Sequence, residues 1–187
     1  MKESTLPGTA LARGAGQSAG ALLEPMFLAG GLVLSQVAAI TGLEGYVIQN
    51  WVKRGFVSPP KGKRYSRRQV GRILMMNLLK DALQLDKIIR LLSYVNGHLD
   101  DESDDLIDDF ELYLAAVGLM DRLRGDVLTD PQALRALCYE ALSGYVPARP
   151  GARERVAKAL EVVLVAHAAA RLKARAEGML AALNGEE

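Results

Sequence analysis

Residues 34–72 read LSQVAAITGLEGYVIQNWVKRGFVSPPKGKRYSRRQVGR, and this stretch decides the architecture. Leu34, Val37, Ala38 and Ile40 recur at helical spacing, Ser35 stands where an N-cap belongs, and Gly42 stops the helix. After the Thr41-Gly42 turn, Val47, Ile48, Trp51 and Val52 line one face of a second short helix that Gly55 ends. Its opposite face carries Tyr46, Gln49, Asn50 and Lys53. Phe56 and Val57 start a short strand, Ser58-Pro59-Pro60 removes two backbone donors, and Lys61-Gly62-Lys63 turns the chain before Tyr65. A two-strand wing is expected there. Ser66 then caps a third helix whose inward seam is Val70, Ile73, Leu74, Asn77 and Leu78.

The same stretch is one-signed. From Gly45 to Leu79 there are Lys53, Arg54, Lys61, Lys63, Arg64, Arg67, Arg68 and Arg72, with no Asp or Glu. The whole chain of 187 residues has a formal net charge of only +1, so this patch is an electrostatic footprint for a polyanion, duplex DNA first. The balancing acids crowd into Asp100, Asp101, Glu102, Asp104, Asp105, Asp108, Asp109 and Glu111. They lack the order of a calcium loop and read as favourable charge at a helix N-terminus. Because the two fields are near in sequence, the acidic stretch is expected to lie against the basic wing and compete with DNA.

Outward from this centre the pattern stays helical. Asp86 opens a helix with Ile88, Ile89, Leu91, Leu92 and Val95 inward, up to Asn96-Gly97. Another runs from about Asp104 to Leu123, Pro131 begins one that Gly144 ends, and the last spans about Ala152 to Leu183. Val162 to Ala170 is apolar nearly all round, which implies neighbours on more than one side, some of them from a second subunit. Apolar residues make up 50% of the chain, enough for a core. The expected division is a flexible tail over residues 1–24, a DNA-binding domain over 25–97 and a helical bundle over 98–187. No apolar run approaches the roughly 18 residues that span a bilayer, and no signal peptide is recognisable. The single cysteine, Cys138, rules out thiolate metal clusters and disulfides within the chain and fits a reducing cytoplasm.

Chemistry for catalysis is thin. His98 and His167 lie far apart in sequence, Cys138 has no nucleophile-activating pattern, and no phosphate-binding glycine loop occurs. Neither an enzyme, a cofactor nor a bound metal is expected. Binding chemistry is richer. Gln49 and Asn50 suit adenine edges, Lys53 and Arg54 suit guanine or phosphate, and Tyr46 suits stacking or phosphate. Lys61, Lys63 and Arg64 on the turn, with Arg67 and Arg68 behind them, supply backbone affinity. Trp51 belongs to the core.

The order Leu34-Ser35-Gln36-Val37-Ala38, Thr41-Gly42-Leu43, Ile48-Gln49-Asn50-Trp51, Arg54-Gly55-Phe56-Val57-Ser58-Pro59 and Lys63-Arg64-Tyr65-Ser66 resembles the winged helix domain of MerR-type regulators. More closely, Asn50, Val52-Lys53, Pro59-Pro60, Lys63, Tyr65-Ser66 and Leu79-Lys80 are similar to the MerR-like bacterial family called domain of unknown function 1836. The resemblance covers roughly Leu32 to Leu92, with weaker likeness to Leu123. It implies backbone contact for Lys63 and Tyr65. The chain departs from the MerR pattern in having Gln49-Asn50-Trp51 where an Arg-Tyr-Tyr-like run is usual, and in lacking a simple coiled-coil ending.

The expectation is therefore an all-α protein with a minimal β wing, an N-terminal MerR-like winged helix-turn-helix and a C-terminal helical bundle. It would regulate transcription by binding double-stranded DNA as a homodimer, in the cytoplasm and without membrane contact. The rival readings are a protein-interaction adaptor using the basic face, or a small-molecule sensor whose bundle holds an effector near Val162 to Ala170 and His167.

Overall fold

The computed structural model describes residues 4–99, 101–123 and 126–183; Asp100 of the acidic run lies outside them. The chain is mostly helical, with two small two-stranded sheets. In order, the elements are β1 (Ser4–Thr5), β2 (Ala12–Arg13), α1 (Ala19–Leu23), β3 (Leu32–Val33), α2 (Leu34–Thr41), α3 (Gly45–Lys53), β4 (Arg64–Tyr65), α4 (Arg67–Leu79), α5 (Leu85–Asn96), α6 (Asp109–Arg122), α7 (Pro131–Ala141) and α8 (Ala152–Leu183). β1 pairs with β2, and β3 with β4, both antiparallel. No helix among the described residues is long and apolar enough to cross a membrane.

The centre of the molecule is α4. Every residue from Val70 to Leu79 is buried, including Met75 and Met76, so the expected one-sided seam is instead a helix surrounded on all sides. α6 packs along it most extensively, and α2, α5 and α8 also touch it. One continuous core therefore joins the segments that the sequence reading separated at Asn96-Gly97.

A glycine permits the closest of these approaches. A Cβ at residue 71 would lie 2.8 Å from the Asp109 carbonyl carbon and closer still to Phe110 N and Cα. Beside this crossing sits a buried polar knot. Arg72 Nη1 reaches Asp109 Oδ2 at 3.2 Å, Arg72 Nε donates to the Phe56 carbonyl at 2.7 Å, and Asn96 Nδ2 donates to Asp109 Oδ1 at 2.8 Å. Burial pushes the Asp109 carboxyl above its ordinary pKa, against the opposing pull of Arg72.

The flexible tail expected over residues 1–24 is corrected for residues 4–24, which form part of the fold. Leu6 and Leu23 are fully buried. The Pro7 carbonyl accepts from the Tyr113 hydroxyl at 2.7 Å, and the Gly8 carbonyl accepts from Asn77 Nδ2 at 2.8 Å. The Gly and Pro residues there supply turns in a chain pinned to the core, and Gly8 (φ 72°) crosses directly over Leu78.

Two local expectations also change. Val33, not Ser35, occupies the N-cap of α2, and its N–H donates to Gln36 Oε1 at 3.0 Å. Phe56 and Val57 form no strand; the partner of Arg64–Tyr65 is Leu32–Val33, brought in from before α2. In α8, Val163 and Leu164 are buried while Val162 and Val165 are exposed, so its apolar middle is covered on one side only. The stops at Gly42 and Gly97 and the Ser66 cap are as the sequence reads.

Candidate functional site

α3 exposes its polar side because its apolar side is anchored. Ile48 and Trp51 are buried, which turns Tyr46, Gln49, Asn50 and Lys53 to solvent, followed by exposed Arg54. Tyr46 is 70% exposed, an unusual position for a large aromatic. The Arg54 guanidinium lies 4.5 Å over the Phe56 ring, which holds the cation in place without neutralising it.

After α3 the chain runs to a tight hairpin. Lys61 and Arg64 form an antiparallel bridge, with Arg64 N donating to Lys61 O at 3.0 Å. Gly62 (φ 56°) and Lys63 (φ 62°) between them both have positive φ, as a type I′ turn requires. Lys63 is the one non-glycine residue of this kind among the described residues, and a side chain there costs about 1–2 kcal/mol. Lys63→Gly is therefore expected to stabilise the fold by about 1 kcal/mol in urea unfolding while removing a cation from the tip. Loss of stability in this variant would mean that Lys63 packs rather than presents charge.

The segment leading to the hairpin is fixed from below by one side chain. Gln69 Nε2 donates to the Ser58 carbonyl (2.8 Å), Ser58 Oγ (3.0 Å) and the Pro59 carbonyl (3.0 Å). Gln69 Oε1 meanwhile accepts from Ser66 N at 2.8 Å, completing the capping box that starts α4. Between this segment and α4 lies a cleft of about 950 Å³, bordered by Pro59, Lys61, Arg64, Arg68 and Gln69.

Eight of the expected contact residues are thus exposed: Tyr46, Gln49, Asn50, Lys53, Arg54, Lys61, Lys63 and Arg64. None of them forms an ion pair among the described residues, although Arg64 Nη1 donates to the Gly31 carbonyl at 2.9 Å.

The other three are corrected. Tyr65 is 3% exposed, its strand pairing with Leu32, and burial raises its hydroxyl pKa. Arg67 is held by Glu24 at 2.5 Å, by Asp108 at 3.2 Å and by Glu111, with its guanidinium 4.2 Å over the Phe110 ring. Arg68 pairs with Asp105 at 2.8 Å, both side chains largely covered. The acidic stretch does fold onto basic residues, but onto the N-terminal turn of α4, not onto Lys61 or Lys63. Its carboxylates help dock α6 on α4, and Asp108 also caps α6 through Phe110 N and Glu111 N.

Sequence reasoning missed Gln69 and Gly71, which position the site, and it counted Arg72 with the cationic patch, although Arg72 is buried against Asp109. The signal was present as a glycine and two polar side chains inside an apolar helix. Elsewhere, no group of three or more His, Cys, Asp or Glu residues able to hold a metal occurs among the described residues.

Residues 32–115 match the family described as Domain of unknown function (DUF1836). That segment begins at β3 and ends within α6, so it takes in the hairpin, α4 and the α4–α6 crossing. The chain is also similar to the uncharacterized protein YkrK of Bacillus subtilis (strain 168), 30% identical over 94 residues. This likeness covers 48% of the chain and 40% of YkrK, so the chain spans less than half the length of that relative. No solved structure matches.

Proposed function

We propose that this DUF1836-matching chain is a sequence-specific regulator of MerR-like winged helix-turn-helix type that binds double-stranded DNA. In this reading α3 enters the major groove, with Gln49 and Asn50 on base edges, while Lys53, Arg54, Lys61, Lys63 and Arg64 meet phosphates. The observation that carries it is the set of exposed cations and amides on α3 and the hairpin tip, without carboxylate partners among the described residues while Arg67, Arg68 and Arg72 of α4 are paired. A fold that needed these cations for its own stability would pair them as it pairs those of α4.

The test is selection of bound duplexes from a random pool, followed by affinity measurement across salt. With six phosphates neutralised, log affinity should fall against log salt with a slope of about −5. Gln49→Ala with Asn50→Ala should cost about 1–3 kcal/mol per lost base contact on the selected site and little on random duplex. Lys61→Ala with Lys63→Ala should weaken both targets alike and flatten the slope by about 2. A wild-type chain that binds no duplex at low salt would end the proposal.

A further inference from the structure

The cleft of about 950 Å³ beside the hairpin joins two kinds of lining. Half-buried Phe27, Pro60 and Leu99 are apolar and come from three separate segments, the turn after α1, the connector and the turn after α5. Lys61 and Arg64 border the same space from the hairpin. Of the five cations in the lining, three are already matched: Arg67 by Glu24, Asp108 and Glu111, Arg68 by Asp105, and Arg72 by Asp109. Asp109 is the one carboxylate among the described lining residues, and Arg72 holds it. Lys61 and Arg64 have no carboxylate partner among the described residues. The field is therefore positive on the hairpin side. The walls are also fixed in advance. Gln69 Nε2 holds the Ser58 and Pro59 carbonyls, and the Phe27 ring stands edge-on against Phe110, centroids 5.4 Å apart. The Gly31 carbonyl orients the Arg64 guanidinium at 2.9 Å and leaves its charge unmatched.

We propose that this cleft binds a small organic anion of the aryl phosphate class, its phosphate at Lys61 and Arg64 and its ring system against Phe27, Pro60 and Leu99. Size argues for an organic body, since sites for such ligands span roughly 300–1,000 Å³ and a bare phosphate would leave most of this space empty. Shape argues for a flat one, because the rings of Phe27 and Pro60 offer flat faces to stack on. Charge argues for a phosphate: a lysine point charge beside an arginine fork suits a group with two negative charges and several acceptor oxygens. No residue of α8 borders the cleft, so the site is separate from the segment around His167 where the sequence suggests an effector. Lys61 and Arg64 are shared with the duplex reading, but the occupant is a different molecule and its binding does not depend on α3 entering a groove.

Calorimetric titration of the full chain with 1-naphthyl phosphate tests the proposal, with inorganic phosphate and 1-naphthol as the two halves of the probe. One site per chain is expected, with a Kd of about 100 μM or below and each half at least about tenfold weaker. Either half binding as tightly as the whole would overturn the proposal; inorganic phosphate doing so would mark cations that take phosphate alone, as a nucleic-acid backbone offers it. No heat of binding at about 1 mM probe would overturn it as well. Location is read from variants whose thermal unfolding is checked first. Lys61→Glu at the exposed tip and Leu99→Asp in the apolar lining should each weaken the probe at least about tenfold. Leu172→Glu, at a leucine 66% exposed on α8 that offers a rival apolar surface, should leave binding unchanged. Binding that survives both cleft variants, or that falls with Leu172→Glu, places the probe elsewhere and overturns the proposal. Should Leu99→Asp fail to fold, Lys61→Glu and the two halves decide the matter. These titrations contain no nucleic acid, so their failure leaves the duplex reading standing, and failure of duplex selection leaves the cleft ligand standing.

Discussion

Gly71→Ala is expected to lower the unfolding free energy by at least about 3 kcal/mol, although alanine is the better helix former by about 1 kcal/mol. The added methyl group would meet the backbone of Asp109 and Phe110, not the flexible end of a side chain. Rotamer changes cannot relieve that overlap, so α4 and α6 would have to separate. Because α4 is buried on every side, displacing α6 also disturbs contacts with α2, α5 and α8. Urea unfolding of the two proteins measures the effect directly. A loss below about 1 kcal/mol would show that the helices do not cross at this glycine.

The second large effect lies at the ion pair made by the next residue, Arg72. Asp109→Ala should cost about 3–5 kcal/mol, because it leaves the Arg72 guanidinium buried without its counter-charge. The pair itself need not be a large source of stability, since both ions gave up water to form it. Replacing both, Arg72→Met with Asp109→Leu, should therefore be milder than Asp109→Ala alone by about 1–2 kcal/mol. Full recovery is not expected. Arg72 also holds the Phe56 carbonyl, and Asp109 accepts from Asn96, so the double variant orphans two further groups. If the double variant proves worse than the single one, the knot contributes net stability and the desolvation argument fails for this site.

Much of the fold was legible because it rests on local chemistry. Gly42 and Gly97 carry positive φ at helix ends, Ser66 caps α4, and the bounds of α8 follow from its continuous helical pattern. What escaped was non-local. A Gly- and Pro-punctuated N-terminus reads as loose until Tyr113 and Asn77, far along the chain, are seen to bond its carbonyls. The strand partner of Tyr65 was sought next door at Phe56-Val57, although it comes from before α2. The site divides in the same way. Charge and amphipathicity indicated the exposed face of α3 and the hairpin tip. Arg67 and Arg68 look no different in sequence from Lys61 and Lys63, and only the docking of α6 reveals that their charge is already matched.

The Gln69 amide and the Arg72 guanidinium together grip three carbonyls of the connector, those of Phe56, Ser58 and Pro59. The connector is thereby bolted to the same helix that forms the hub of the interior. The reach of the cationic fingertip is consequently set from within: a shift in how the hub seats against α6 would swing Lys61 and Lys63 as a lever swings on its fulcrum.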